Sequence, residues 1–380
     1  MAKKALELYI HIPFCAQKCI YCDFLSFAGA YELYHNAYFQ ALREELQYYG
    51  TLYGKDSQWE ISSVFIGGGT PSLAAPEEIV MLLQTVRDCF SPAENVEITM
   101  EANPGTVSEE KLRLYAETGI NRLSFGVQSL SDDVLSFLGR IHRKTDFLRA
   151  YESARAAGFK NINLDLILGV PGDFPSRYGN GLREILSLRP EHISAYSLIV
   201  EEGTPFAARK LNLPDEDTEY NMYEATAQIL KEYGLEQYEI SNYARKGREC
   251  RHNVGYWTRQ DYLGFGLGAS SLYGKERFAN TADMKKYLEN SRNLEKIREK
   301  EPSLTREDEM AEFMFLGLRM IRGIVKSDFQ ENFGCTIESV YEEVLEKYES
   351  MGLLLEQDGR IFLSRDGIHV SNSIMAEFLL

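Results

Sequence analysis

Strand and helix patterns alternate six times over the first 235 residues of the 380-residue chain. The strand patterns are short runs of apolar, aromatic and β-branched residues at 6–12, 61–66, 96–101, 122–127, 161–168 and 192–200. The helical patterns are 31–49, 76–89, 108–118, 131–138 with 146–157, 176–187 and 216–233. This alternation predicts an α/β fold, a parallel sheet with helices outside it. Six units are too few for a closed eight-unit barrel, which leaves an open partial barrel or a flat doubly wound sheet.

Polar and glycine residues recur where the predicted strands end. In chain order they are the cysteine-bearing segment 11–24, the run Gly67-Gly68-Gly69-Thr70, Glu101, Gln128 and Asp165. In both architectures the carboxyl ends of parallel strands meet at one edge, where ligands bind. Glycines let a ligand approach the backbone closely, and carboxylates accept hydrogen bonds from ammonium or hydroxyl groups. The sequence therefore predicts a ligand site at this edge.

Three of the six cysteines, Cys15, Cys19 and Cys22, lie within eight positions at the spacing C-x3-C-x2-C. Thiolates ligate iron–sulfur clusters, and a cubane normally takes four of them. Three local ligands leave one iron open to a small chelating molecule or to a cysteine from elsewhere. Zinc sites normally show paired C-x2-C units or nearby histidines, so the spacing favours a cluster over zinc or a redox disulfide.

Composition narrows the class of partner. The chain carries 41 Lys and Arg against 57 Asp and Glu, a net charge of −16, which disfavours nucleic acid or an anionic membrane as the main partner. No apolar run reaches the roughly 18 residues that cross a bilayer, and the N-terminus lacks the apolar block of a signal peptide. Cys89, Cys250 and Cys335 are scattered, unlike a secreted disulfide framework. We therefore expect a cytoplasmic protein that is not an integral membrane protein.

Taken together, the motifs resemble those of the radical S-adenosylmethionine (SAM) superfamily. The cysteine spacing matches its signature, and G-G-G-T-P-S at 67–72 matches its glycine motif. The segments Y-I-H-I-P-F-C (9–15), F-G-V-Q-S (125–129) and D-L-I-L-G-V-P (165–171) are similar to the branch formed by the HemN/HemW group. The resemblance covers nearly the whole chain. It implies a partial, three-quarter β6/α6 barrel.

The resemblance also implies a division into domains. Residues 1–235 are expected to form the radical SAM partial barrel, 236–300 a barrel extension or connecting region, and 301–380 a HemN-type C-terminal domain, mostly helical and winged-helix-like. In the tail, two helical stretches precede Asp358-Gly359, a strong hairpin-turn signal. From Pro302 to Leu380 seven Lys and Arg stand against fifteen Asp and Glu, which argues against DNA as a ligand of this module.

For the site, the resemblance implies that Cys15, Cys19 and Cys22 hold a [4Fe–4S] cluster whose fourth iron binds the amino and carboxylate groups of SAM. In the superfamily, electron transfer to SAM yields a 5′-deoxyadenosyl radical; the cofactor carries this chemistry and the protein positions it. The residues that match the family's SAM contacts are Tyr9, Tyr21, Gly68, Gly69, Thr70, Glu101, Gln128, Arg140 and Asp165. Without the resemblance, Arg140 would be read as a surface arginine.

Two features separate this chain from the oxidase branch of the group, the oxygen-independent coproporphyrinogen III oxidases. These enzymes carry a further cysteine two residues past the third, where this chain has Phe24. They also carry an N-terminal extension that covers the active site, whereas only fourteen residues precede Cys15 here. Phe cannot ligate a metal or shuttle electrons as a thiol does, so both features favour the haem-chaperone branch, HemW.

A third feature is the segment H-N-V-G-Y-W at 252–257, which resembles the H-N-x-x-Y-W motif of the haem-chaperone branch. Imidazole is a usual axial ligand of haem iron, and aromatic rings pack on porphyrin faces. The candidate haem residues are therefore His252, Tyr256 and Trp257. Cys250 is an alternative thiolate ligand, and a purely structural role in a core or interface is the alternative for the whole segment.

These observations predict a chaperone that carries haem as cargo and passes it to acceptor haemoproteins such as respiratory cytochromes, with a homodimer as a possible state. The alternative is a coproporphyrinogen oxidase, which would decarboxylate two propionates to give protoporphyrinogen IX. A radical enzyme with an unrelated substrate is a third interpretation, because the cluster motif does not specify a substrate.

Overall fold

In the computed structural model, which describes residues 3–55, 58–300 and 302–379, the chain forms a 12-stranded sheet, two small sheets and an envelope of helices. The strands are β1 (Lys4–Ile12), β2 (Phe14–Cys15), β3 (Phe27–Ala28), β4 (Trp59–Gly68), β5 (Pro92–Ala102), β6 (Arg122–Gln128), β7 (Ile162–Leu168), β8 (His192–Ser197), β9 (Glu236–Glu239), β10 (Asn242–Ala244), β11 (Tyr262–Phe265), β12 (Ser270–Tyr273), β13 (Glu276–Asn280), β14 (Arg298–Lys300), β15 (Ile324–Val325), β16 (Leu354–Gln357) and β17 (Arg360–Leu363).

The helices follow the strands in the predicted alternation. They are α1 (Tyr31–Tyr53), α2 (Pro76–Cys89), α3 (Glu109–Glu117), α4 (Asp132–Phe137), α5 (Lys144–Ala156), α6 (Pro175–Ser187), α7 (Glu216–Glu232), α8 (Arg251–Trp257), α9 (Met284–Asn290), α10 (Leu294–Ile297), α11 (Arg306–Gly317), α12 (Lys326–Phe333), α13 (Glu338–Ser350), α14 (Arg365–His369) and α15 (Ser371–Ala376), with 3₁₀ turns at Pro71–Leu73 and Pro104–Thr106. Among the described residues, no helix is both long and apolar enough to cross a membrane.

Seven neighbouring strands of the large sheet run parallel, in the order β11-β1-β4-β5-β6-β7-β8. Six of them are the predicted strands, and β11 joins beside β1 from far along the chain. Antiparallel strands extend both edges, with β12 to β14 beyond β11, and β10 and β9 beyond β8. Within the described parts of the chain β14 and β9 do not pair with each other, so the sheet is open.

The order in which the helices pack distinguishes the two predicted architectures. Helix α1 packs on α2, α2 on α3 and α3 on α5, and α6 packs on α7. Successive helices therefore lie side by side, whereas a doubly wound sheet divides them between its two faces. The predicted α/β class is confirmed, and this packing favours the partial barrel over the flat doubly wound sheet.

The parallel strands present apolar side chains to the helices and mainly polar or aromatic side chains to the inner face of the sheet. On β1, Leu6, Leu8 and Ile10 are fully buried in the main hydrophobic core. The intervening Glu7 and Tyr9 lie against polar and aromatic groups of the inner face. Successive side chains of a strand point to opposite faces, so this alternation follows directly from the sequence L-E-L-Y-I.

The inner face carries a buried polar network. Asn163 on β7 donates to Ser124 Oγ on β6 at 2.7 Å, and its Oδ1 lies 2.6 Å from His192 Nδ1 on β8. Arg122 of β6 is 2% exposed in the same layer. Buried polar groups need hydrogen-bond partners or compensating charges, and here the neighbouring strands supply them for one another.

The C-terminal residues form a separate hydrophobic cluster, in which Met314, Phe329 and Tyr341 are buried. Two helices, α12 and α13, precede the hairpin β16–β17, and β15 completes a three-stranded sheet. The predicted hairpin turn is confirmed, since Asp358 and Gly359 have φ values of 51° and 71°, the positive values that a type I′ turn requires. The domain boundaries at 235 and 300 stay predictions.

Candidate cluster and cofactor site

The three motif cysteines lie in one loop between β1 and α1. The short strands β2 and β3 pair across this loop, with Phe14 opposite Phe27 and Cys15 opposite Ala28. Cys15 is buried, while Cys19 and Cys22 are half-buried, and each carries a free thiol. The loop therefore presents three thiols at the carboxyl end of β1, which is the location predicted from the sequence.

Two side chains from elsewhere in the chain donate hydrogen bonds to these sulfur atoms. Thr70 Oγ1 lies 3.5 Å from Cys15 Sγ, and Arg140 Nη1 lies 3.4 Å from Cys19 Sγ. Hydrogen bonds to cysteine sulfur stabilise the thiolate and tune the potential of an iron–sulfur cluster. The donor set of three thiols, with a hydroxyl and a guanidinium directed at them, fits such a cluster.

The glycine run at the end of β4 is hydrogen-bonded to the end of β1 and to the cysteine loop. The amide of Gly69 donates to Ile12 O at 2.9 Å, and that of Thr70 donates to Phe14 O at 2.8 Å. Gly68 has a φ of 112°, and a Cβ at this position would lie 2.5 Å from the His11 ring. Only glycine fits both the backbone conformation and the close approach.

Two half-buried carboxyl groups, those of Glu101 and Asp165, lie beside the glycine run. Glu101 Oε2 accepts a hydrogen bond from the Gly68 amide at 3.0 Å. Burial and, to a smaller extent, the neighbouring Asp165 raise the pKa of Glu101 to about 8, against the lowering effect of the Gly68 amide. Burial also raises the pKa of Asp165, against hydrogen bonds from Ser124 and Asn163. Ionising both of these neighbouring carboxyl groups is unfavourable, because they are shielded from water and repel each other. A cationic ligand beside them would favour their ionised forms, so the pair suits such a ligand.

The end of β6 brings two more predicted residues together. Arg140 Nη2 donates to Gly126 O at 2.5 Å, and a Cβ at Gly126 would lie 3.0 Å from both Arg140 Nη2 and Gln128 Nε2. Gln128 has a φ of 65°, an uncommon value for a residue other than glycine, and the β6–β7 register shifts beside it. Backbone strain of this kind concentrates at functional sites.

The structure thus brings the residues matched to the family's SAM contacts to one edge of the sheet. Burial raises the pKa of Tyr9, which interacts with Glu101, and the pKa of Tyr21 is raised by burial against the effect of Arg140. Gly68 donates a hydrogen bond to Glu101, and Arg140 interacts with Tyr21. The assignment of the nine residues to SAM stays a prediction, which this shared location supports.

The H-N-V-G-Y-W segment forms α8, and its members point in different directions. His252 is 1% exposed; Ser63 Oγ lies 2.8 Å from its Nδ1 and Tyr256 OH lies 3.0 Å from its Nε2. Burial lowers the pKa of His252 to about 3, so the ring is neutral. Trp257 lies instead under the guanidinium of Arg319, 4.3 Å from the ring centre, in the C-terminal part of the chain. In this conformation both imidazole nitrogens are already engaged by hydroxyl groups. Cys250, the alternative thiolate ligand, is fully buried.

The polar residues that line the inner face were not among the predicted site residues. They include Glu7, Ser63, Glu97, Arg122, Asn163 and His192. The sequence did contain an indication of this polar face, because polar residues alternate with apolar ones in strands that are buried on both sides. In an ordinary parallel sheet such strands read as nearly continuous apolar runs.

Large apolar side chains are exposed at or after the carboxyl ends of the parallel strands, the edge of the sheet at which this site lies. Phe24 of the cysteine loop is 64% exposed, and Phe174 and Ile199 follow the carboxyl ends of β7 and β8. Tyr196 near the end of β8 and Ile141 after α4 are also exposed. We call these five residues the apolar rim. Exposed apolar residues grouped beside a cleft are typical of a ligand or partner surface.

Comparisons with known proteins confirm the family that the motifs resemble. The model of the radical SAM superfamily matches residues 9–179, and that of the HemN C-terminal domain matches residues 304–370. The curated haem chaperones HemW of Bacillus subtilis (strain 168) and Escherichia coli (strain K12) are each 36% identical to this chain, over 98% of both chains in each case. The HemW of Haemophilus influenzae is 39% identical over 89% of each chain.

Among solved structures, coproporphyrinogen III oxidase (HemN) from Escherichia coli superposes with a TM-score of 0.88 and 22% sequence identity. The match covers 100% of this chain and 91% of that one. At this identity the likeness shows the fold, and it extends over both the sheet and the C-terminal helices.

Proposed function

Because the chain belongs to the radical SAM superfamily and, within it, to the HemN/HemW group, we propose that it is a haem chaperone that carries a [4Fe–4S] cluster and a SAM site. Membership of the superfamily implies the cluster and SAM. The full-length similarity to curated haem chaperones supports haem as the cargo. The single observation that carries the choice of chaperone over oxidase is Phe24, an exposed apolar side chain where the oxidases have a cysteine.

The residues of the site have distinct proposed roles. Cys15, Cys19 and Cys22 hold the cluster, which when bound supplies an electron to SAM. Thr70 and Arg140 donate hydrogen bonds to two of the sulfur atoms. The remaining residues bind SAM, with backbone groups of Gly68 and Gly69, the carboxyl groups of Glu101 and Asp165, and the side chains of Tyr9, Tyr21 and Gln128.

Haem is proposed to bind at the apolar rim, above the cysteine loop. A porphyrin is a flat apolar ligand, and aromatic side chains pack on its faces. The rim offers Phe24, Phe174 and Tyr196 at or after the carboxyl ends of parallel strands, whereas His252 is 1% exposed. Exposure therefore favours the rim over α8 as the surface that first meets haem.

Replacing Phe24 by Ser is expected to raise the dissociation constant for haem about tenfold, because the variant loses the apolar contact of one aromatic side chain. The measurement is a titration of the purified protein with haem, followed by the Soret absorption. The control is Met351→Ser, which removes a similarly exposed apolar side chain from the C-terminal part of the chain. Absence of a saturable Soret change in the unmodified protein would count against haem as cargo.

The oxidase alternative is tested on the same preparation. The reconstituted protein is incubated without oxygen with a reductant, SAM and coproporphyrinogen III. We expect no protoporphyrinogen IX beyond a trace. Its formation over many turnovers would replace the chaperone proposal by the oxidase.

The proposal extends to partners and location. The haem-loaded protein would pass its cargo to acceptor haemoproteins such as respiratory cytochromes in the cytoplasm or at its membrane face, and it would form a homodimer. Transfer of haem is tested by following the absorption spectrum when the haem-loaded protein is mixed with an apocytochrome. Sedimentation of the protein with and without the cluster tests the homodimer. Cell fractionation tests the location.

A further inference from the structure

We infer that the H-N-V-G-Y-W helix, α8, supports the cluster loop from inside the barrel, and that His252 acts through Tyr9 as a positioning residue of the cluster and SAM site. In this role His252 does not ligate haem iron. The inference rests on the cluster and SAM site of the proposed function. The site would then be supported by α8, which lies about 230 residues further along the chain than the cysteine loop.

Three nearly parallel rings, those of His252, Phe65 and Tyr9, pack against one another on the inner face, and we call them the ring stack. The His252 ring lies 5.2 Å from that of Phe65 with an interplanar angle of 24°, and 6.4 Å from that of Tyr9 with an angle of 28°. Tyr9 and Phe65 are themselves 6.3 Å apart at 27°. The three rings are nearly parallel and buried or half-buried, so a change in one ring shifts the packing of the others.

Hydrogen bonds link Tyr9 to the cysteine loop. Tyr9 OH lies 2.9 Å from His11 Nδ1, and His11 Nε2 lies 2.9 Å from Leu25 O. Because a carbonyl only accepts, Nε2 carries the proton and Nδ1 accepts from the tyrosine hydroxyl. Leu25 belongs to the loop that holds the three cysteines. The His11 ring also fills the space beside Gly68, so the orientation of Tyr9 bears on both the cysteine loop and the glycine run.

Several contacts anchor α8 itself. Ser63 and Tyr256 hold the two imidazole nitrogens of His252. Glu97 accepts a hydrogen bond from the Arg251 amide at 3.0 Å. A Cβ at Gly255 would lie 2.3 Å from the Glu7 carboxyl group, so the helix approaches β1 as closely as glycine allows. For His252 to ligate a haem iron, one of these two hydrogen bonds would have to break, and the iron would have to enter the buried inner face.

Two variants separate positioning from iron ligation. His252→Gln keeps a hydrogen-bonding side chain and loses the ring, whereas His252→Phe keeps a ring for the stack and has no atom that binds iron. His369→Gln is the control, because His369 pairs with Glu224 at 2.7 Å, away from the stack. Each protein is reconstituted with iron and sulfide without oxygen. Three quantities are measured: the dissociation constant for SAM by equilibrium dialysis, the EPR spectrum of the reduced cluster with and without SAM, and the dissociation constant for haem.

We expect His252→Gln to raise the dissociation constant for SAM about three- to tenfold, the range that corresponds to one ring stack, and to alter the SAM-dependent EPR change. Haem binding should stay unchanged, and His252→Phe should restore most of the SAM affinity. Loss of haem binding in both variants, or SAM binding and EPR spectra equal to those of the control in His252→Gln, would overturn the inference. The unmodified protein is measured first, so failure of the cluster and SAM site itself is recognised as a separate outcome.

Discussion

Substitution of Cys19 by Ala is expected to abolish the [4Fe–4S] cluster while the fold persists. A site-differentiated cluster held by three thiolates has no spare protein ligand, and loss of one removes both an iron–sulfur bond and the charge that holds the cluster. Cys19 is half-buried in a loop outside the hydrophobic core. The free energy of unfolding of the cluster-free chain should therefore change by less than about 1 kcal/mol.

The measurement is the iron and sulfide content per chain after reconstitution without oxygen, together with the EPR spectrum of the dithionite-reduced protein. Both should fall to background in Cys19→Ala, and SAM binding should fall with them. Cys335→Ala is the matched control, because Cys335 is also half-buried and lies in the C-terminal part of the chain. A Cys19→Ala protein that retained four irons per chain would show that the cluster is held by other residues.

Substitution of Glu45 by Ala is expected to lower the stability of the fold strongly. Glu45 of α1 is fully buried, and its carboxylate accepts hydrogen bonds from the Gly266 amide at 2.9 Å, Asn280 Nδ2 at 2.7 Å and Tyr287 OH at 2.7 Å. One side chain thus fastens α1 to β13, to α9 and to the loop after β11. Glu45→Ala leaves three buried donors without an acceptor. We expect a loss of about 3–5 kcal/mol in the free energy of unfolding.

The neighbouring Glu44→Ala is the control for this variant. Glu44 pairs with Arg292 at 2.6 Å, and the Arg292 side chain is 77% exposed. A pair at the surface contributes about 1 kcal/mol or less. Urea denaturation of both variants and of the unmodified protein, followed by circular dichroism, gives the comparison. Equal losses in the two variants would contradict the bridging role of Glu45.

The effect of Glu45 should depend on pH. Burial raises the pKa of its carboxyl group to about 7, against the hydrogen bonds from Tyr287, Gly266 and Asn280. The folded chain therefore holds this proton more tightly than the unfolded chain, in which the pKa is about 4.5. The stability that comes from this difference is present below pH 4.5 and is lost as the pH rises through 7. Glu45→Ala should accordingly be more damaging at pH 5 than at pH 8.

Much of the sheet and part of the site followed from local patterns in the sequence. The six strands that precede helices were predicted because alternation of strand and helix patterns leaves few parallel arrangements. The Asp358-Gly359 turn was predicted because only a few dipeptides adopt two consecutive positive φ angles at low cost. The cysteine spacing predicted a cluster loop, since cluster ligands lie close together in the chain.

Other features required contacts between residues far apart in the chain. Strand β11 was not anticipated as a seventh parallel strand, because the residues around Gly264-Phe265-Gly266 show no strong strand pattern and gain their order from pairing with β1. The bridging role of Glu45 was invisible, since on a helix a lone Glu ordinarily faces solvent. Pairing and burial of this kind depend on loop closure over long separations, which no local pattern encodes.

The family, the cysteine loop and the glycine run could therefore be predicted from the amino-acid sequence, because each consists of contiguous residues whose spacing the chemistry requires. The segment H-N-V-G-Y-W was also recognised as a motif. Its position in the molecule depends on the packing of the whole chain. Its histidine enters the inner face of the sheet beside Tyr9 and Phe65, and the same six residues would read alike on an exposed haem-binding surface, because burial is a property of the packed chain and not of the segment.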